Sequence, residues 1–557
     1  MVLKLQHGLV QTINQGINLN RLIAMIKNIF KAIGCLSLVV TAFNPALAQE
    51  NQTPASVAKL KMQNIWMNNT NNAAGGVVDA SKVYSISSLG VTAAEGDFKM
   101  VQDGTDNLTY GISTQGGGIY DKLNNMFMWG SLSYKRDAMD GTRFNCLAYD
   151  PFRDVPFLLA DSITSKWVRQ EYELQMKMAS PELFNFLTFG LSGSYISGLS
   201  AKQVDPLCRM DVSHFGWGAS ALMRFGGHNI GLSFNHSNRR EDGNAGIVNS
   251  KNTARAWDYV APGFFREAEF GAFGSLIDNR YMHQHTLAGG FQYGFKNDHW
   301  NILLNGDYKL RVEDINNEQL NSSPGTGRQM IGTVKEHNWS GKFVTNYTFN
   351  NGNMLSLNAS YENRSVDGIE YFQEFDNTYE VQAWIVKAKF IRSNIAKVNT
   401  EVRLDYMVND GNVYKWWFGV NYANRTNDWI YYLPNANQDV TNNVYGLFAS
   451  RHIKLGKNNS LTVSINGGFS SNSEASLNYS GEGTQVDNAG WTEFTLKDFY
   501  YLTSGYINAG YDLTYAYSGF KRSSLSLFVS VAGDYYSAKS EMFNDRGIAS
   551  FKVGVAF

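Results

Sequence analysis

From about residue 97 to the C-terminus, apolar side chains alternate with polar or small ones. Over residues 300–313, Trp300, Ile302, Leu304, Tyr308, Leu310 and Val312 share one side, while Asn305, Asp307, Lys309, Arg311 and Glu313 share the other. A period of two predicts extended strands with one apolar and one polar face. Leu355, Leu357 and Tyr361 likewise oppose Asn358, Ser360, Glu362 and Arg364, and Val402, Leu404 and Tyr406 oppose Glu401, Arg403 and Asp405. Earlier, Tyr172, Leu174 and Met176 oppose Arg169, Glu171, Glu173 and Lys177. In the last strand Phe551, Val553, Val555 and Phe557 lie opposite Ser550, Lys552, Gly554 and Ala556. A soluble sandwich would rarely finish on an exposed phenylalanine. A membrane barrel needs this arrangement, with hydrocarbon outside and water inside.

The expected fold is therefore all-β: a single transmembrane antiparallel up-and-down β-barrel of about 18 strands, bounded by 16 and 20. Short turns are expected at 179–182, 226–228, 296–298, 350–352, 393–394, 454–457 and 518–519, where Asn, Gly, Asp and Ser supply hairpin geometry. Long connections are expected at 137–165, 197–208, 240–281, 312–331, 365–378, 434–441, 471–497 and 537–545. Short turns at one end and long loops at the other imply loops outside the cell and both termini in the periplasm. The segment Trp429-Ile-Tyr-Tyr-Leu433 is ambiguous in this count.

Ahead of the barrel, Lys27 and Lys31 precede an apolar run from Ile33 to Phe43 and the small residues Ala46-Leu-Ala48. That layout predicts a signal peptide over 1–48, with Met25 as an alternative start, and is too short to span a membrane as a helix. Cys35 stands near the start of the apolar run, with most of the run after it, which argues against a lipid attachment site. Residues 49–92 lack sustained periodicity and read as a periplasmic tail or a small luminal plug segment, with the barrel over 93–557.

Composition agrees with many half-apolar strands: 14% aromatic residues, 52 Gly and only 9 Pro. A net charge of -1 points to no nucleic-acid partner. Beyond the signal region only Cys146 and Cys208 remain, both in neighbouring loops. An exported, oxidising compartment permits a disulfide between them, and two free thiols are the alternative.

The polar rows define candidate lumen-lining charges: Arg169, Glu171, Glu173, Lys177, Arg224, Asp307, Lys309, Arg311, Glu362, Arg364, Glu401, Arg403 and Asp405. Both signs occur on nearly every strand, so they can brace the wall as cross-strand pairs or line a solute path. His214, His236, His283, His285 and His337 all fall near one end of their strands. Parity turns His236, His283 and His285 outward to the headgroup rim and His214 inward, which disfavours a shared metal or haem site. Neither a G-x-S-x-G nor an H-E-x-x-H, P-loop or zinc-type cysteine spacing occurs in a usable position, so no catalytic residue, metal or cofactor is expected. The 240–281 stretch carries Trp257, Tyr259, Phe264, Phe265, Phe270 and Phe273, which must pack into the barrel mouth or against a partner.

The ending through Phe551, Val553, Val555 and Phe557 resembles the terminal aromatic signature read by barrel-assembly machinery. With the signal peptide and the alternation of residues 506–515, the mature chain resembles large single-domain outer-membrane barrels of Bacteroidota, a Gram-negative group, within an uncharacterised family. That resemblance carries over no site residues. Residues 49–557 are too few for both the larger barrel and the plug domain of TonB-dependent transporters. The leading expectation is a passive, porin-like or fatty-acid-transporter-like pore for a small solute. The alternatives are a closed barrel serving as surface scaffold, adhesin or accessory subunit of an uptake complex, and a rim hydrolase. Expected partners are outer-membrane lipid and lipopolysaccharide, the assembly machinery, and a TonB-dependent transporter or surface lipoprotein.

Overall fold

The computed structural model describes residues 52–79, 83–246, 254–261, 263–270, 279–318, 328–376, 378, 383–480, 489–520 and 525–557. The expected signal peptide lies outside these residues. The 18 strands of the main sheet form one closed antiparallel barrel. Its seam joins the first strand, Tyr84–Gly96, to the last, Asp545–Ala556, with Ile86 opposite Ala556 and Gly96 opposite Arg546. Ser85 and Phe557 exchange main-chain hydrogen bonds of 2.6 and 2.9 Å there. Closure leaves the main sheet no edge with unpaired backbone groups, which hydrocarbon would not tolerate. Each wall strand pairs with the wall strands next to it in sequence, as an up-and-down barrel requires.

The strand boundaries correct the sequence reading in three places. The wall begins at Tyr84 rather than at 93, because the first strand alternates mostly small residues and gives little contrast. Ser393 and Asn394 are not a turn: they sit inside the strand Ala383–Asp410, with Ser393 opposite both Gly368 and Tyr431. The Asn394 amide donates to Ser365 Oγ (2.8 Å) and Asp367 Oδ1 (2.7 Å), so its polar chemistry is used across strands. The actual turn is at Gly411, whose φ of 65° favours glycine. Third, 434–441 is no long loop, since Asn435–Lys454 pairs with Val413–Tyr432 from the start. Trp429 to Tyr432 belong to that second strand.

Several connections are shorter than expected for one reason. The strand Ala383–Asp410 has 28 residues, against roughly 9–11 needed to cross a bilayer. Its outward apolar residues Val402, Leu404 and Tyr406 lie towards the short-turn end. The wall therefore continues beyond the membrane at the long-loop end. The outer surface of the membrane band is apolar, with Leu191, Leu232, Phe291, Leu447 and Ile465 exposed. Aromatic pairs cross neighbouring strands at two heights, Trp300 with Tyr347 (4.7 Å between centroids) and Tyr308 with Trp339 (4.4 Å). Such girdles mark the two interfaces of a membrane barrel.

Candidate functional site

The barrel lumen is the candidate site, and each end is occupied by a different part of the chain. At the short-turn end, residues 52–79 fold as a helix Pro54–Gln63, a second helix Ile65–Asn69 and tight turns through Gly76–Asp79. Thr53 caps the first helix, its hydroxyl accepting from Ser56 N while Ser56 Oγ accepts from Thr53 N. The wall holds this segment by apolar packing, with Ile65, Trp66, Ala74 and Val78 against Leu222, Leu303 and Val344, and by donors to its backbone carbonyls. Lys177 Nζ reaches Met67 O (3.3 Å) and Thr70 O (3.1 Å), and Lys296 Nζ reaches Val78 O (2.7 Å). In return, Asn72 Nδ2 donates to Gln292 Oε1 (2.9 Å) and to the carbonyls of Ala221 and Leu232 (both 3.2 Å).

Two glycines of the wall permit this contact. A Cβ at Gly190 would lie 2.3 Å from Ala74 N, and one at Gly294 would lie 2.7 Å from the buried Trp66 ring. Asp79 ends the segment and accepts from Met67 N (2.8 Å) and Trp66 N (3.2 Å). Burial pushes its carboxyl up to about 7, against the opposing pull of those N–H groups and of Lys296 and Lys177.

The long-loop end is covered by a cap with its own core. Leu158–Asp161, Ala254–Ala261 and Phe264–Phe270 form a small three-stranded sheet. Phe157, Leu158 and Val260 of this cap pack against Met282, Ile315, Val334, Val366 and Ile395, which are inward residues of the upper wall. Beside them Phe144 stacks on Phe494 (5.3 Å) and tilts against Trp257 (5.6 Å). Trp257, Tyr259, Phe264 and Phe265 of the aromatic stretch thus pack within the mouth. Phe273 lies outside the described residues. Cys146 and Cys208 form a disulfide surrounded by Leu147, Trp167 and Met210.

Beneath this apolar layer runs an ion-pair network joining cap and wall. Arg153 of the cap bridges Glu241 (2.9 Å) and Glu313 (2.8 Å), both 1% exposed. Asp154 receives Arg364 (2.6 Å) and Lys397 (2.7 Å). Glu336 gathers Arg311 (2.8 Å), Lys309 (2.9 Å) and Arg364 (3.0 Å). Arg280 and Lys202, both nearly inaccessible, pair with the cap residues Asp258 (2.8 Å) and Asp161 (2.7 Å). The helix Leu496–Thr503 adds Asp498, which accepts from Val101 N at 2.8 Å. Burial raises its carboxyl to about 7 despite Lys99 nearby.

Of the expected luminal charges, Lys309, Arg311 and Arg364 thus converge on Glu336. Glu171 contacts Lys135 (3.2 Å) and the Tyr149 hydroxyl (2.8 Å), and Arg169 lies over the Tyr149 ring. Glu173 accepts from Gln175 (2.6 Å), Glu362 from Asn338 (2.7 Å), and Asp307 from Asn305. Arg224 meets Glu182 (3.4 Å) at the short-turn end, far along its strand from the cap network. Arg403 pairs with Asp405 (2.7 Å), which also accepts from Trp417 Nε1 (2.8 Å). Sequence reasoning missed Arg153 and Asp154, because their placement follows from how a loop folds, and Glu241, because the strand His228–Gly246 runs past the expected loop start at 240. A usable signal was present, however: the inward row turns apolar at Met282, Ile315, Val334 and Ile395, which only a covered mouth explains.

Between the two closures lies a polar chamber. A cavity of about 770 Å³ is lined by Ser340, Lys342, Ser360, Glu362, Glu401 and Arg425. A second of about 520 Å³ shares Lys342, Ser360 and Glu401, and Lys61, Ile65 and Asn69 form its floor. Both charge signs line this space, which suits a polar or zwitterionic solute better than an apolar one.

The histidines divide by side. His214 faces inward, and its Nε2 has no partner. His337 Nδ1 contacts the Tyr308 hydroxyl (2.7 Å) on the outer face, where His236, His283 and His285 also lie. Among the described residues, Cys146, Asp161 and Cys208 also lie close enough together to hold a metal, but the two sulfurs are bonded to each other.

No curated protein matches the chain. Among solved structures, it is similar to the ferric preacinetobactin receptor BauA of Acinetobacter baumannii, at 10% identity over 85% of this chain and 80% of that one, with a TM-score of 0.35. The ferric yersiniabactin uptake receptor FyuA of Yersinia pestis gives 9% identity over 85% and 80%, with a TM-score of 0.39. The outer membrane transporter YddB of Escherichia coli gives 7% identity over the same shares, at 0.38. Residues 73–557, nearly the whole described barrel, match the model of the family of unknown function DUF6850, and the chain belongs to that family.

Proposed function

We propose that this protein is a closed outer-membrane barrel that works through its capped, cell-surface end, as a scaffold or accessory subunit, and not as an open passive pore. One observation carries the reading: the cap is built like a domain core, with a disulfide, an aromatic cluster and buried ion pairs tying it to the wall. A passive pore would leave its mouth lined by water-facing side chains. Here the upper inward row is apolar and covered. In this reading the long loops face outward from the cell, both chain ends face the periplasm, and a TonB-dependent transporter or surface lipoprotein is a fitting partner. The test is conductance of folded protein in planar bilayers. Silence supports a closed barrel, and stable open steps of uniform size would reject it.

The chamber favours a second reading, a gated passage. Its floor, residues 52–79, is a short segment joined to the wall by small apolar clusters and by lysine–carbonyl contacts, without a disulfide. The cap is more firmly built. Protein lacking 52–79 would then conduct while the full chain does not, whereas a scaffold would stay silent in both forms.

A further inference from the structure

Two neighbouring strands, His228–Gly246 and Asn279–Lys296, bring three imidazoles together on the outer face. His285 stands opposite Asn238, His283 opposite Arg240, and His236 opposite Leu287, diagonal to His285. Residues two apart on a strand share a face, and the rings of His283 and His285 are 4.7 Å apart between centroids. The His236 ring is 6.3 Å from that of His285. The amide nitrogen Asn238 Nδ2 lies 3.0 Å from His283 Nε2 and 3.3 Å from His285 Nδ1. An amide N–H₂ only donates, so both contacts place an imidazole lone pair towards the same point.

We propose that His283 and His285 chelate a divalent transition-metal ion at that point, with His236 as third ligand. Imidazole suits zinc, nickel and copper(II), while calcium and magnesium require oxygen ligands. An ion of this class sits about 2.0–2.1 Å from each nitrogen. Binding therefore needs Asn238 to swing away, the His283 and His285 rings to move in by about 1 Å, and a larger swing of His236 to complete the set.

Charged side chains of both signs surround the imidazoles. Arg240, opposite His283, is bound by Asp242 at 2.9 Å. Asp314 faces His283 from the strand on the other side and accepts only a neutral hydroxyl, Thr333 Oγ1, at 2.6 Å. Asp242 and Asp314 thus place carboxylates beside the imidazoles, with Arg240 and, one strand beyond Asp314, Lys335 as the neighbouring cations. The site is independent of the luminal reading, since none of these residues faces the lumen.

The experiment is calorimetric titration of tag-free, detergent-folded protein with Ni²⁺ and Zn²⁺, with Ca²⁺ as control. The expected result is saturable binding of nickel and zinc without calcium binding. His283→Ala and His285→Ala should each lose about tenfold or more in affinity, and His236→Ala less. Asn238→Ala should bind more tightly, because it removes the donor that competes for both lone pairs. A structural role for the histidines would not produce that gain. All four positions face outward, and heat-shifted migration in gels verifies that each variant is folded. The proposal is overturned if native protein shows no saturable nickel binding, or if H283A and H285A bind as the native chain does.

Discussion

Arg153 is the most informative single position, because it is a largely buried cation of the cap and serves two wall carboxylates at once. Replacing it with methionine keeps much of the side-chain volume and removes the charge. Glu241 would keep Arg239 at 2.8 Å, and Glu313 would keep Arg311 at 3.3 Å. Breaking a buried pair from one side costs about 3–5 kcal/mol. Since each carboxylate retains one arginine, the lower figure applies, about 3 kcal/mol, or roughly two decades in an opening equilibrium. The cost falls on the cap, because the barrel ladder does not depend on Arg153. The reporters are the amides of Phe144 and Leu147, which donate to Asp161 O (2.8 Å) and Leu159 O (3.3 Å) within the cap. Their hydrogen exchange in folded R153M should speed up by about two decades, while amides of the wall strands stay protected. Adding Glu313→Gln should recover part of the loss, since it removes one of the stranded charges. Exchange within about threefold of native in R153M, a change of roughly 0.6 kcal/mol, would refute the claim that ion pairs pin the cap.

Four further outcomes follow from the same contacts. Gly190→Val should displace residues 52–79, since even a Cβ collides with Ala74, so trypsin should cut at Lys59 and Lys61 faster while the barrel keeps its heat-resistant gel form; unchanged cleavage would mean the segment docks elsewhere. Asp79 has a folded pKa of about 7 against 3.8 when free, so the docked segment retains a proton that the released one gives up. Docking should then strengthen as pH falls from about 7 towards 4, by at most about 1.4 kcal/mol per unit, and level off at its weakest above about 7; tryptic cleavage should be faster at pH 8 than at pH 5, and Asp79→Asn should abolish the difference. Reducing the Cys146–Cys208 bond, which spans 62 residues, should lower cap stability by about 4 kcal/mol in the chain-entropy view, readable as faster exchange at Leu147. Leu304→Arg on the lipid face should cost about 2–4 kcal/mol in refolding titrations, whereas Asn305→Arg on the luminal face should not carry that depth-dependent penalty.

The barrel was largely legible in the sequence because hydrocarbon imposes its pattern directly. Every second residue from Trp300 to Val312 must satisfy lipid, whatever the rest of the chain does, and the count of about 18 strands followed from that alternation. The errors arose where polar residues do ordinary sheet work. Ser393 and Asn394 have turn chemistry, yet Asn394 spends it on Ser365 and Asp367 across the sheet. The mouth was less legible for a different reason. Glu313 reads as luminal from parity alone, but its partner Arg153 arrives from a loop whose path no periodicity encodes. Likewise Lys177 looks like a pore-lining cation and Lys296 like a turn residue, and only the fold shows them donating to carbonyls of residues 52–79.

The central claim is that the chain fills its own lumen at both ends. Single-channel recording across a planar bilayer, on full-length protein verified as folded by heat-shifted migration, tests it most directly. Native protein should insert without stable conductance steps. Uniform, long-lived open steps from that same preparation would contradict it.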